Sequence, residues 1–270
     1  MGTAACIQRH WDEPIVEKSF SRLLESLTDA KERARLLAVS APKNSDWLHA
    51  LPIASCGLRL DDEAVRIAAG LRLGSKLCEP PVCIGGSSVD PRGHHGLSCR
   101  RSSGRTSRHH NLNDIVWRAL VKADIPAIKE PNGLSRTDGK RPDGLTQIPW
   151  VGGKCLVWDV TVTDTLAISY VDIYSLSAGG VAELAAERKI TKYSNLSTGY
   201  SFVPLAFETF GPVNKDCDEF LTSLGKRLSA ITGDKRESCF LRQRLSICLQ
   251  RYNSVCVRGT FSANLDLLQS

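Results

Sequence analysis

The chain has 270 residues, 42% of them hydrophobic and 24% charged, and a formal net charge of +6. This composition excludes wholesale disorder, and no run reaches the ~18 apolar residues expected of a membrane span. Met1 to Arg9 lacks the basic start and apolar core of a secretory signal, so an intracellular location is the expectation.

Glu13 to Val39 reads as helix, with Ile15, Phe20, Leu23, Leu24 and Leu27 near a 3.6-residue period. Asn44-Ser45-Asp46 precedes a short element, Trp47 to Leu51, that Pro52 stops. Asp61-Asp62 can cap a helix carrying Val65, Ile67, Ala68 and Leu71 and ending at Gly74. Residues 78–110 are rich in Gly, Ser, Pro and Arg and poor in large apolar side chains. Something other than a core must order them.

Helix returns from Asn111 to Ala123, with Leu112, Ile115, Val116 and Leu120 inward, and Ile125 to Glu130 reads as a short strand. Leu156 to Val162 is a buried strand interrupted by Asp159. Val181 to Tyr193 is a helix, Ser201 to Phe207 a strand, and Glu219 to Asn253 two amphipathic helices broken around Gly233. Strands separated by helices predict an α/β fold with a mixed sheet. The expected division is a helical region 1–77, a knuckle and basic loop 78–110, and an α/β domain with C-terminal helices 111–270.

Ten cysteines in a chain without a secretion signal argue against a disulfide framework. Cys155, Cys248 and Cys256 sit in apolar runs and read as buried thiols. Cys78, Cys83, His95 and Cys99 have the residue types and spacing of a structural zinc site, with His94 as a competing ligand and His95 preferred. Five arginines (Arg92, Arg100, Arg101, Arg105 and Arg108) lie between Pro91 and His110 without an acid, and Lys140-Arg141 adds a second basic knot. Such local stripes suit a polyphosphate partner, DNA first and RNA as the alternative.

A carboxylate inside an apolar strand is costly unless it is paired or binds a metal. A hairpin turning at Val151-Gly152-Gly153 would bring Asp159 beside Asp143, which Arg141-Pro142 precedes. Two adjacent carboxylates repel, and Mg²⁺ relieves that repulsion while activating water against a phosphodiester. This pair resembles the PD-(D/E)xK nuclease core, and that resemblance implies a lysine two residues after the strand acid, where this chain has Thr161. Lys189 or Lys192, which share a helix face with Tyr193, could reach in instead.

The order Cys…Cys…His…Cys, "RHHNLND", "KRPDG", "VWDVTV", "ERKITKY" resembles the zinc knuckle and PD-(D/E)xK restriction-like endonuclease at the C-terminus of site-specific non-LTR retrotransposon polyproteins. The resemblance covers roughly Trp47 to Tyr193, and "DWLHALP" and "FVPLAFETFG" look like its flanks. It implies a mixed-sheet restriction-endonuclease-like core, Mg²⁺ on Asp143 and Asp159, and Lys189 or Lys192 acting on the attacking water. It also implies structural Zn²⁺, DNA contacts from Arg100, Arg101, Arg105, Arg108, Lys140 and Arg141, a nuclear location, and DNA nicking that leaves a 3′-hydroxyl. No Tyr-x-Asp-Asp of a reverse transcriptase occurs, and the Asp159-to-Lys189 gap is long for the family. A detached fragment, a domesticated derivative or a decayed copy is therefore expected. Thr161 keeps a second expectation open, a non-catalytic nucleic-acid-binding derivative of the same module.

Overall fold

The computed structural model describes residues 4–80, 82–102, 104–134, 141–167, 170, 177–196 and 198–260. It is mixed α/β. Helices α1 (Ala4–Ser26), α2 (Ala30–Ser40) and α3 (Asp62–Leu73) come first, then a short α4 (His94–Ser98) and the long α5 (Gly104–Lys122). Strands β1 (Ala127–Lys129), β2 (Gly144–Val151) and β3 (Lys154–Thr163) follow, then α6 (Gly180–Lys192), β4 (Ser201–Glu208), α7 (Lys215–Thr232) and α8 (Glu237–Arg258).

The sheet runs β1-β2-β3-β4, antiparallel in its first two pairings and parallel between β3 and β4. Gly152 and Gly153 both take positive φ, 57° and 75°, which suits a two-residue hairpin between β2 and β3. The parallel β3–β4 pair needs a crossover, and α6 lies within it.

Strand alternation decides which way Asp159 points. Leu156, Trp158 and Val160 join the main core with Leu112, Val116 and Leu120 of α5, Phe220 and Leu224 of α7, and Leu245 of α8. Each such buried side chain contributes roughly 1.5–3 kcal/mol. Val157, Asp159 and Thr161 occupy the other face. There Val157 packs on Tyr193, while Ala182, Ala185 and Ala186 of α6 pack on Ala206 of β4. Small residues let α6 approach closely, so its last turns hang over Asp159.

Several expected elements shift. One helix from Glu13 to Val39 is instead two, because the Asp29 side chain accepts from Lys31 N and starts α2 afresh. Ile15 and Leu23 of α1 are exposed, as is Val65 of α3, so those positions face out from the core. Helix α5 starts at Gly104 rather than Asn111 and takes Arg105 and Arg108 out of the expected loop. Cys248 and Cys256 are buried as expected, but Cys155, beside the hairpin turn, is only half-buried.

Helices α2 and α3 share a core with the rest. Ala38, Ile67, Leu77 and Leu97 cluster with Phe210 and Val257, and Trp47 packs with Leu58, Ala68 and Ile247. Among the described residues no helix is long and apolar enough to cross a membrane.

Candidate active site and metal centres

Asp143 sits at the entry to β2, where its N–H donates to Trp158 O (3.0 Å) and its Oδ2 accepts from Val160 N (2.6 Å). The Asn113 amide of α5 donates to Asp143 O (3.3 Å) and accepts from the Trp158 indole (2.8 Å). Gly144 follows because any Cβ there would overlap the Trp158 ring. Behind the turn, Tyr193 donates its hydroxyl proton to Arg141 O (3.1 Å). The Arg141-Pro142-Asp143 corner is thus fixed from two sides.

One ligand atom each from His109, Asp143 and Asp159 lie within 4.8 Å of one another. His109 Nε2 is 3.0 Å from Asp143 Oδ2, and Lys189 Nζ donates to Asp159 Oδ2 at 2.8 Å. Burial, together with the neighbouring Asp143 carboxylate, pushes Asp159 up to about 6 against the pull of Lys189. Asp143 is likewise desolvated, yet hydrogen bonding and charge from His109 hold it below the ordinary carboxylate range. His109 is raised in return, chiefly by its hydrogen bond to Asp143. Two carboxylates with opposite displacements, an imidazole and an ammonium form a centre that could hold a divalent cation.

The sequence left Lys189 and Lys192 open. Lys189 meets Asp159, whereas Lys192 donates to the Tyr193 hydroxyl (3.1 Å) and stands over its ring. Lys192 therefore braces the Asp143 corner from behind. Thr161, in the usual lysine slot, lines an open cleft with Lys189, His109, Arg100, Arg105, Thr106 and Ser102.

The basic residues divide. Arg100 and Arg105 are exposed on the wall of that cleft. Arg101 is exposed beside the cysteine loop and donates to Ile84 O (3.3 Å), and Arg141 donates to Asn132 Oδ1 (2.9 Å). Arg108 does not present itself to a polyanion: it is 2% exposed and donates to Asn253 Oδ1 (2.7 Å) and Leu97 O (3.2 Å). Its helical position turns it inward, where it ties α5 to α4 and α8. Arg92 is held by Glu32 (3.0 Å) and Gly74 O (3.0 Å). Lys140 lies outside the described residues.

The cysteine-rich segment folds as a small hairpin, with Val82 bridged to Ser88 and Cys83 N donating to Ser87 O (2.8 Å). Gly85 N donates to Cys83 Sγ (3.2 Å), and Gly86 takes a φ of 82°. Cys83, His95 and Cys99 bring their ligand atoms within 4.8 Å of one another, and His95 Nε2 lies 3.3 Å from Cys83 Sγ. Burial would raise the Cys83 thiol, but hydrogen bonding from the Ser87 and Gly85 backbone and from His95 draws it down to about 7. Thiolate character of this kind fits a metal ligand. Cys78 stands apart from this trio: its Sγ lies 3.7 Å from the carbonyls of Asp90 and Pro91, and burial pushes its thiol up. His94 packs edge-on to Phe210 (6.0 Å) with Nδ1 3.6 Å from Asp90, so His95 is the histidine that faces the cysteines.

A further cleft, against α7 and α8, holds Lys43, Asp218 and Arg242, whose charges pair with one another. Asp46 and Ser246 line it as well.

Three contributors escaped the sequence reading. His109 and Asn113, four apart in "RHHNLND", share the α5 face that meets Asp143, and that i,i+4 spacing was the available signal. Glu208 is the third. It ends β4, is 1% exposed, and accepts from Val181 N and Ala182 N (3.1 Å each), anchoring the start of the helix that carries Lys189. Nothing local in the sequence marked it.

No family model matches the chain, and no curated protein matches it.

Proposed function

We propose that the protein is a divalent-metal-dependent DNA endonuclease with a restriction-endonuclease-like core, a derivative of the non-LTR retrotransposon module that its motifs resemble. The observation that supports this most is the convergence of Asp143, Asp159 and Lys189 beside a cleft walled by Arg100 and Arg105. The donor chemistry fits a divalent cation, Mg²⁺ on the evidence of the two carboxylates alone, with Asp143 and Asp159 as its ligands.

Such a cation supplies Lewis acidity to a phosphodiester and to water. Asp143, immobilised through its backbone and Val160 N, would offer the cation a fixed carboxylate. Asp159 is held by strand β3 and takes its place without reorganisation. Lys189 offers an ammonium beside the carboxylates, where it can orient water and offset charge building on the phosphate. Arg100 and Arg105 neutralise flanking phosphates, which positions the strand without reading its sequence. Hydrolysis at this centre would leave a 3′-hydroxyl and a 5′-phosphate. Cys83, His95 and Cys99 would hold a structural Zn²⁺, with Cys78, whose Sγ lies 3.7 Å from the Asp90 and Pro91 carbonyls, as the fourth ligand. A nuclear location follows from this reading.

A second reading has its own support. His109 with Asp143 and Lys189 with Asp159 already pair the charges, so the same fold without cation could be a nucleic-acid binder that does not cut. Nicking of supercoiled plasmid decides between them. Wild type should convert it to open circles with added divalent cation, and Asp143→Ala should not while still retarding DNA. Wild type that binds DNA but never nicks it with Mg²⁺ or Mn²⁺ leaves the binder.

A further inference from the structure

His109 enters the centre from the first turns of α5, Asp143 from the corner before β2, and Asp159 from the middle of β3. Three separate elements thus deliver one nitrogen and two carboxylate donors to one point. The imidazole is half-buried on the cleft wall, and its Nε2, the atom nearest Asp143, is the atom aimed at the carboxylates. A histidine needed only to neutralise an acid could stand anywhere along the Asp143 carboxylate. This one also lies within 4.8 Å of the Asp159 ligand atom, which shares no hydrogen bond with it among the described residues.

The donor set bears on which cation fits. Mg²⁺ favours oxygen donors and retains much of its water, whereas imidazole nitrogen favours first-row transition cations. Two carboxylates and one imidazole leave coordination positions for water and a phosphate oxygen, which a six-coordinate ion requires. Lys189 on Asp159 and the arginines of the cleft wall supply positive charge, so the centre is not a general sink for cations.

We propose that His109 is a third protein ligand of the cation held by Asp143 and Asp159, and that its imidazole makes the centre select a first-row transition cation, Mn²⁺, over Mg²⁺. This rests on the reading of the site as a divalent-metal centre, and it assigns α5 a direct part in metal choice. A bound cation would take the place of the hydrogen bond between His109 and Asp143: the imidazolium would release its Nε2 proton to solvent, keep Nδ1–H, and offer its Nε2 lone pair as the donor.

The test is metal binding to the full chain, its cysteine cluster loaded with Zn²⁺ beforehand. Mn²⁺ is followed by the paramagnetic resonance of the free ion, and Mg²⁺ by competition. Wild type should hold Mn²⁺ roughly tenfold or more tighter than Mg²⁺, and His109→Asn, which trades the imidazole for an amide, should lose most of that ratio. His109→Gln repeats the measurement should the first variant not fold. Asp159→Asn should remove the bound Mn²⁺ altogether. Equal affinity for the two ions, a ratio unchanged in both His109 variants, or Mn²⁺ that survives Asp159→Asn would each overturn the proposal. Plasmid nicking measured on the same samples keeps the two readings apart. Mn²⁺ selectivity without nicking upholds this ligand set and removes the nuclease. Nicking that is indifferent to the ion and to His109 upholds the nuclease and removes the ligand.

Discussion

Lys189 Nζ lies 2.8 Å from Asp159 Oδ2 across 30 residues of sequence, because α6 crosses the sheet face on which Asp159 is exposed to it. Three residues on, Lys192 turns to the Tyr193 hydroxyl instead. Lys189→Ala should therefore lower nicking by roughly 10²–10³-fold, the loss typical of removing one electrostatic stabiliser of a transition state. Lys192→Ala should keep most of the activity and loosen the Arg141-Pro142-Asp143 corner, seen as faster proteolysis there. Initial rates of plasmid nicking give the comparison. Equal losses in the two variants would remove the distinction.

Arginines adjacent in sequence should divide in function. Arg100 and Arg105 stand on the cleft wall, so replacing both with alanine should flatten the salt dependence of DNA affinity by roughly 2 logarithmic units per logarithmic unit of salt. Arg108→Ala should leave that slope alone. It strands Asn253 Oδ1 and Leu97 O in the interior and should cost about 3 kcal/mol of stability. Binding titrations at several salt concentrations and urea unfolding separate the two effects. An Arg108→Ala protein of normal stability and reduced slope would reverse the assignment.

The cysteine cluster makes a graded prediction. Cys83 and Cys99 share the trio with His95, whereas Cys78 faces two carbonyls. Cys83→Ser and Cys99→Ser should both abolish stoichiometric zinc in elemental analysis of the purified protein. Cys78→Ser should retain zinc but release it faster to a chelator, since three ligands remain. Zinc at one per chain in the Cys83→Ser protein would place the metal elsewhere.

The sequence made strands, helices and the acidic pair legible for local reasons. A Gly-Gly pair between two apolar runs fixes a tight hairpin, and that hairpin alone brings Asp143 towards Asp159. Alternation along Leu156 to Val162 fixes the face Asp159 uses. What was not legible depends on contacts distant in the chain. Arg108 reads as part of a basic loop until α5 is seen to begin at Gly104 and to pack its inner face on Asn253. The i,i+4 spacing of His109 and Asn113 marks a shared helix face, but not that the face meets Asp143, which arrives from 34 residues away. Which of Lys189 and Lys192 meets Asp159 is a difference of one helical turn, and it follows from how Ala182, Ala185 and Ala186 seat α6 on Ala206.

Glu208 supplies a pH dependence with a definite sign. Burial drives its carboxyl from the ordinary 4.5 up to about 7, opposed by the amides of Ala182 and Val181 and by Thr165. Its folded value lies above its unfolded one, so its proton is held by the native state between those limits and lost by the unfolded chain. The contribution is therefore fully present below pH 4.5, declines as pH rises through the window, and is gone above about 7. The shift corresponds to about 3 kcal/mol over that range. Glu208→Gln cannot ionise, and its carbonyl oxygen can still accept from the first amides of α6. Wild type should thus lose stability relative to Glu208→Gln between pH 5 and pH 7.5 in urea unfolding, with the gap widening upward. A constant stability difference across pH would mean that Glu208 is ionised in the folded protein and that its anchoring role does not titrate.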